Sequence, residues 1–136
     1  RMPNRWITSS PGDFRLAHPQ EAEDPWFDLG VQRLLAELEF PYALNILGIF
    51  RDSESTYVPS PLATHGDLLN WSENAPEPGP EREALALPLA QQVCHALAWL
   101  HELGIAHRDL SLENVLLTEG SDGSFRVKII DFGAAT

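Results

Sequence analysis

The distribution of proline constrains this chain more than any other feature. All 11 prolines fall at or before Pro88, and residues 89–136 contain none. Proline removes a backbone donor and fixes φ, so it interrupts helix interiors and central strands alike. The sequence therefore changes character at that point. Residues 1–27 carry Pro3, Pro11, Pro19 and Pro25 with little periodicity, which predicts an irregular N-terminal arm.

From Asp28 a helical pattern sets in. Val31, Leu34, Leu35 and Leu38 follow the spacing of one helix face, with Asp28 suited to the N-cap and Pro41 to the stop. Leu44 to Phe50 reads as a strand. Thr56 to Val58 reads as a second, truncated by Pro59 and Pro61. His65-Gly66-Asp67 forms a turn, Leu68 to Trp71 starts a short helix, and residues 75–80, with three prolines, form a linker. The strongest helix is expected from Pro88 to Leu103, with Leu89, Val93, Leu97 and Leu100 as its apolar stripe and Gly104 as its C-terminal cap. Cys94 falls in that helix and is expected to be a buried core thiol. Asn114–Leu117 and Phe125–Ile130 flank a run of turn formers and predict a β-hairpin.

Composition narrows the function classes. The 136 residues suit one domain, and 43% hydrophobic with 21% charged residues is a globular balance. Asp and Glu number 20 against 9 Lys and Arg, for a net charge of −11. Lys128 is the only lysine, and the arginines are scattered. A nucleic-acid backbone or an anionic membrane needs clustered cations, so neither is expected as a partner. No apolar run reaches the roughly 18–20 residues of a bilayer span. One cysteine precludes a disulfide within these residues, and no secretory pattern opens them, so an intracellular, cytoplasmic location is expected. His95, His101 and His107 recur every six positions, off the spacing of helical zinc ligands. Composition sets no oligomeric state.

After the long helix the chain reads His107-Arg108-Asp109-Leu110-Ser111-Leu112-Glu113-Asn114, and Asp131-Phe132-Gly133 follows the hairpin. An H-R-D-L-x-x-x-N run, a hairpin and D-F-G together form the paired signature of protein kinases. Phosphoryl transfer needs an oriented hydroxyl and cations that offset charge on the phosphate oxygens, which calls for carboxylates and hard oxygen ligands in this arrangement. Over residues 28–136 the chain resembles the protein kinase family, which implies an α+β, protein-kinase-like fold, present in part: lower N-lobe, hinge and catalytic core.

The resemblance implies a function as well: transfer of the γ-phosphate of ATP, with Mg²⁺, to a Ser/Thr hydroxyl of a protein substrate. By that resemblance Asp109 orients the substrate hydroxyl, Arg108 pairs with a phosphorylated activation-segment residue, and His107 fixes the loop. Asn114 and Asp131 are the implied metal ligands. With less force, Ser60 falls at the gatekeeper position, Pro61 and Ala63 offer hinge backbone groups to adenine, and Asp67 lies near the ribose. Leu116 forms the floor under adenine, and Ile130 lines the pocket.

Three departures accompany the resemblance. No G-x-G-x-x-G occurs, and no lysine precedes Lys128, whose place before Asp131 excludes it as the family's phosphate anchor. Glu37 and Glu39 lie off the stripe of the first helix, so no partner glutamate stands out. Ser111 stands where Ser/Thr kinases carry lysine, although Glu113-Asn114 leans towards that branch. Thr136 follows Gly133 by three residues, so a fragment is expected, feeble or inactive alone. The alternative is a pseudokinase or a kinase-derived regulatory binding module.

Overall fold

The computed structural model describes residues 1–7, 10–21 and 23–136. The chain folds as two compact units, one of residues 1–61 with 131–135 and the other of residues 62–130 with Thr136.

The first unit contains the arm, whose described residues include short regular elements. Strand β1 (Met2–Pro3), helix α1 (Asn4–Ile7) and helix α2 (Pro11–Ala17) occupy it. Local chemistry too short for a periodicity window explains the difference. Ser10 caps α2 in a reciprocal box with Asp13, and Pro11 supplies the first helical φ. Phe14 is buried, with Trp6 edge-on at 5.7 Å and His18 at 4.8 Å between ring centroids.

Helix α3 (Pro25–Glu37) starts earlier than the apolar pattern indicates. Asp24, not Asp28, is the N-cap, accepting from the Trp26 and Phe27 N–H groups, and Pro25 takes the first turn. Val31 and Leu35 are buried, whereas Leu34 and Leu38 are exposed, so the buried face is narrower than the stripe. Strands β2 (Phe50–Arg51) and β3 (Ser55–Tyr57) complete an antiparallel sheet in the order β1-β3-β2. The strand expected over Leu44–Phe50 is reduced to its end. The Leu47 N–H donates to the Pro59 carbonyl, but Pro59 has no N–H to return, so that ladder stops. Asp52 builds the β2–β3 turn, its Oδ1 accepting from the Glu54 and Ser55 N–H groups and its Oδ2 from the Tyr57 hydroxyl.

The second unit holds helix α4 (Leu68–Asn74), helix α5 (Pro80–Glu102) and the hairpin of β4 (Val115–Glu119) and β5 (Phe125–Ile129). The hairpin matches expectation, in the register Val115↔Ile129 through Glu119↔Phe125. The long helix begins eight residues before Pro88, at Pro80, and carries Pro88 in its interior. Glu81 and Glu83 offset the helix dipole in the first turn, and the Arg82 guanidinium donates to the Ser72 carbonyl of α4 at 3.0 Å. Leu89, Ala96 and Leu100 are its buried residues, and Cys94 is exposed rather than in the core. Both hairpin edges are met in part by neighbouring segments. Along β4, the Leu117 N–H donates to the Gly66 carbonyl and the His65 N–H to the Leu117 carbonyl. Along β5, the Gln92 amide of α5 donates to the Phe125 carbonyl and accepts from the Val127 N–H, both at 3.0 Å.

Candidate active site

The loop after α5 is organised from its histidine. His107 is buried, and its Nε2 lies 2.9 Å from the Ile130 carbonyl oxygen. A carbonyl only accepts, so Nε2 carries the proton in that bond. Nδ1 is then the acceptor, and the Asp109 N–H points at it from 3.3 Å. One neutral imidazole thus ties the end of β5 to the residue that presents the Asp109 carboxylate. Between them Arg108 has φ of 67°, a left-handed conformation that costs a non-glycine residue about 1–2 kcal/mol. The bonds on either side hold it there.

Asn114 closes the loop. Its Nδ2 donates to the Asp109 carbonyl at 2.9 Å and, more weakly, towards Asp109 Oδ2 at 3.3 Å. The amide nitrogen is thereby committed, which leaves Oδ1 as the end suited to a hard cation. The Asn114 carbonyl also accepts from the Ile130 N–H at 3.0 Å. His107, Asp109, Asn114 and Ile130 are therefore one hydrogen-bonded assembly, although 23 residues separate His107 from Ile130. Leu116 lies on β4, cross-strand from Lys128. Burial lowers the Lys128 pKa below the usual lysine value, and its backbone belongs to the hairpin.

Asp131 belongs to the first unit, together with Phe132 and Gly133. It too is left-handed, with φ of 65°. Phe132 is 1% exposed, and its N–H donates to Asp28 Oδ1 at 3.0 Å. The Gly133 carbonyl accepts from the Asp24 N–H at 2.9 Å. A Cβ at position 133 would sit 3.1 Å from the Glu23 Cβ, a tight contact that Glu23 would have to yield to by a few tenths of an ångström. Asp131, Asp28, Glu23, Arg1 and Trp6 are among the residues around a cleft of about 180 Å³ in this unit.

Residues 31–136 match the family model described as "Protein kinase domain". The chain belongs to the protein kinase family. Among curated proteins this kinase chain is 36% identical over 101 residues to the serine/threonine-protein kinase PLK4 of Drosophila yakuba, covering 74% of the chain and 12% of that protein. To the meiosis-specific serine/threonine-protein kinase mek1 of Schizosaccharomyces pombe it is 31% identical over 102 residues, 75% of the chain and 22% of that protein. To PLK4 of Danio rerio it is 34% identical over 112 residues, 78% of the chain and 11% of that protein. The kinase chain thus spans between a ninth and a quarter of the length of these relatives.

The remaining nucleotide-site expectations divide between the units. Ser60 and Pro61 are exposed in the first unit, and Ala63 is half-buried in the second. Asp67 acts structurally, because its Oδ1 caps α4 by accepting from the Asn70 N–H at 2.7 Å. Neither acid weighed as the helix partner points inward. Glu37 pairs with Arg33 at 2.9 Å on the exposed face of α3, and Glu39 follows the helix with φ of 54°. Sequence reasoning missed Asp24 and Asp28 as contacts of the Asp-Phe-Gly triplet. The Asp24-Pro25 pair was the available signal, since it marks the true N-cap and moves Asp28 into the helix. No helix among the described residues is long and apolar enough to cross a membrane.

Proposed function

We propose that the protein carrying this chain transfers the γ-phosphate of ATP to a Ser or Thr hydroxyl of a protein substrate inside the cell. The observation that carries this reading is the His107–Asp109–Asn114–Ile130 assembly, whose hydrogen bonds hold the Asp109 carboxylate and the Asn114 amide on one loop. The Asp109 carboxylate would accept or orient the substrate proton. By the family resemblance Asn114 Oδ1 and the Asp131 carboxylate, each a hard oxygen donor of the kind Mg²⁺ prefers, would be its ligands. When bound, that ion offsets charge on the phosphate oxygens. Pro61, Ala63, Leu116 and Ile130 would hold adenine, with Ser60 at the gatekeeper position and Asp67 near the ribose. The Ser/Thr assignment follows the names of the relatives and Glu113-Asn114.

Ser111, standing where Ser/Thr kinases carry a lysine, favours a second reading, a kinase-derived binding module that does not turn over. On either reading, feeble or absent phosphate transfer is expected of residues 1–136 alone. Labelled-ATP transfer to a generic protein substrate by the complete protein separates the two. A catalytic protein loses about 10²–10⁴-fold in Asp109→Asn, the scale of a positioned general base. Wild-type turnover that survives Asp109→Asn sinks the assigned role. Nucleotide binding with no turnover in the wild type establishes the module.

A further inference from the structure

The contact between α3 and the Asp-Phe-Gly triplet carries an inference beyond the family assignment. Phe132 is buried, so its N–H cannot turn to water and must find an acceptor inside. That acceptor is a carboxylate 104 residues earlier, Asp28 Oδ1 at 3.0 Å. Gln32, one turn along α3, donates its Nε2 to the same oxygen at 2.8 Å and fixes the carboxylate. The Asp24 N–H grips the Gly133 carbonyl, and Gly133 lies close against Glu23. The bonded N–H lies in the peptide plane that begins at the Asp131 carbonyl carbon. Fixing that plane fixes ψ of Asp131, where φ is already in the left-handed region at 65°.

We propose that Asp28 is a positioning residue, whose carboxylate holds Asp131 in its left-handed conformation by accepting the Phe132 N–H. A first-turn acid that only offset the helix dipole would face solvent and need no such partner. The consequence for catalysis rests on the kinase reading given above; the conformational hold does not.

Backbone resonances and amide hydrogen exchange of residues 1–136 test it in Asp28→Ala, which removes the acceptor, and Asp28→Asn, which keeps a neutral one. The Ile130 amide, bonded to the Asn114 carbonyl in the other unit, is the internal control. In Asp28→Ala the Phe132 amide is expected to exchange at least about 10-fold faster, the loss of a bond to a charged group. The Asp131 Cα and Cβ shifts should leave their left-handed values, with Asp28→Asn intermediate in both. Phe132 exchange and Asp131 shifts that stay at wild-type values overturn the proposal. If Asp28→Ala does not fold, Asp28→Asn decides by the same two readouts. A Mn²⁺ titration of the wild type, followed by broadening at Asp131, reports separately on the kinase reading: no broadening counts against that reading and leaves the exchange result standing.

Discussion

His107 shows how much one side chain can organise when both ring nitrogens are used. Asp109 and Ile130 come from different segments, and the imidazole spans them with one proton and one lone pair. His107→Phe keeps the buried volume but strands the Ile130 carbonyl. A loss of about 1–3 kcal/mol in urea unfolding is expected, the cost of an unsatisfied, partly buried acceptor. A loss below the error of the measurement would mean that water takes over the bond. The H-R-D run was legible as a motif, but its physical role was not: spacing shows neither a tautomer nor a left-handed φ. Asp28 was legible as a helix acid and misplaced as the cap, because an acid next to an apolar stripe looks the same as a cap or as a tertiary acceptor.

At the scale of elements, α5 is the clearest case of tertiary context overriding a local rule. Pro88 suggested a helix start, yet the helix runs through it from Pro80. An interior proline forgoes one hydrogen bond and crowds the preceding turn, about 3 kcal/mol worse than alanine. The helix bears it because Leu89, Ala96 and Leu100 are buried along the rest of its length. Pro88→Ala should raise the stability of the chain by about 1–2 kcal/mol, since the freer unfolded chain takes back part of the gain. Calorimetry or urea titration measures it, and a destabilised variant would show that Pro88 is needed for packing. The hairpin was legible because its turn residues and alternating strands agree at every level. The arm was not, since its two short helices rest on a capping box and an aromatic cluster that no periodicity reveals.

Across the whole molecule, charge sets the response to pH. A net charge of −11 at neutral pH makes the compact state repel itself. Asp13, Asp52 and Asp122 work the other way, each held below the ordinary aspartate value by hydrogen bonds, chiefly from Ser10, the Glu54 N–H and Ser124. A depressed folded-state pKa adds stability above the unfolded value and loses it as pH falls through the folded one. The thermal midpoint should therefore rise as pH falls from 7 towards about 5, as repulsion is relieved, and drop below about 4. Added salt should raise the midpoint at pH 7 and matter less at pH 5. A midpoint that falls steadily from neutral pH would show that repulsion is not the governing effect.

Gln92 has a consequence at this scale too. A two-stranded hairpin with a bare side is a template for another chain's backbone. Here one amide from α5 meets one acceptor and one donor of β5, the Phe125 carbonyl and the Val127 N–H, as a single rung of a neighbouring strand would. The side chain that docks helix on hairpin thus also occupies one rung of the edge on which another strand would have to pair.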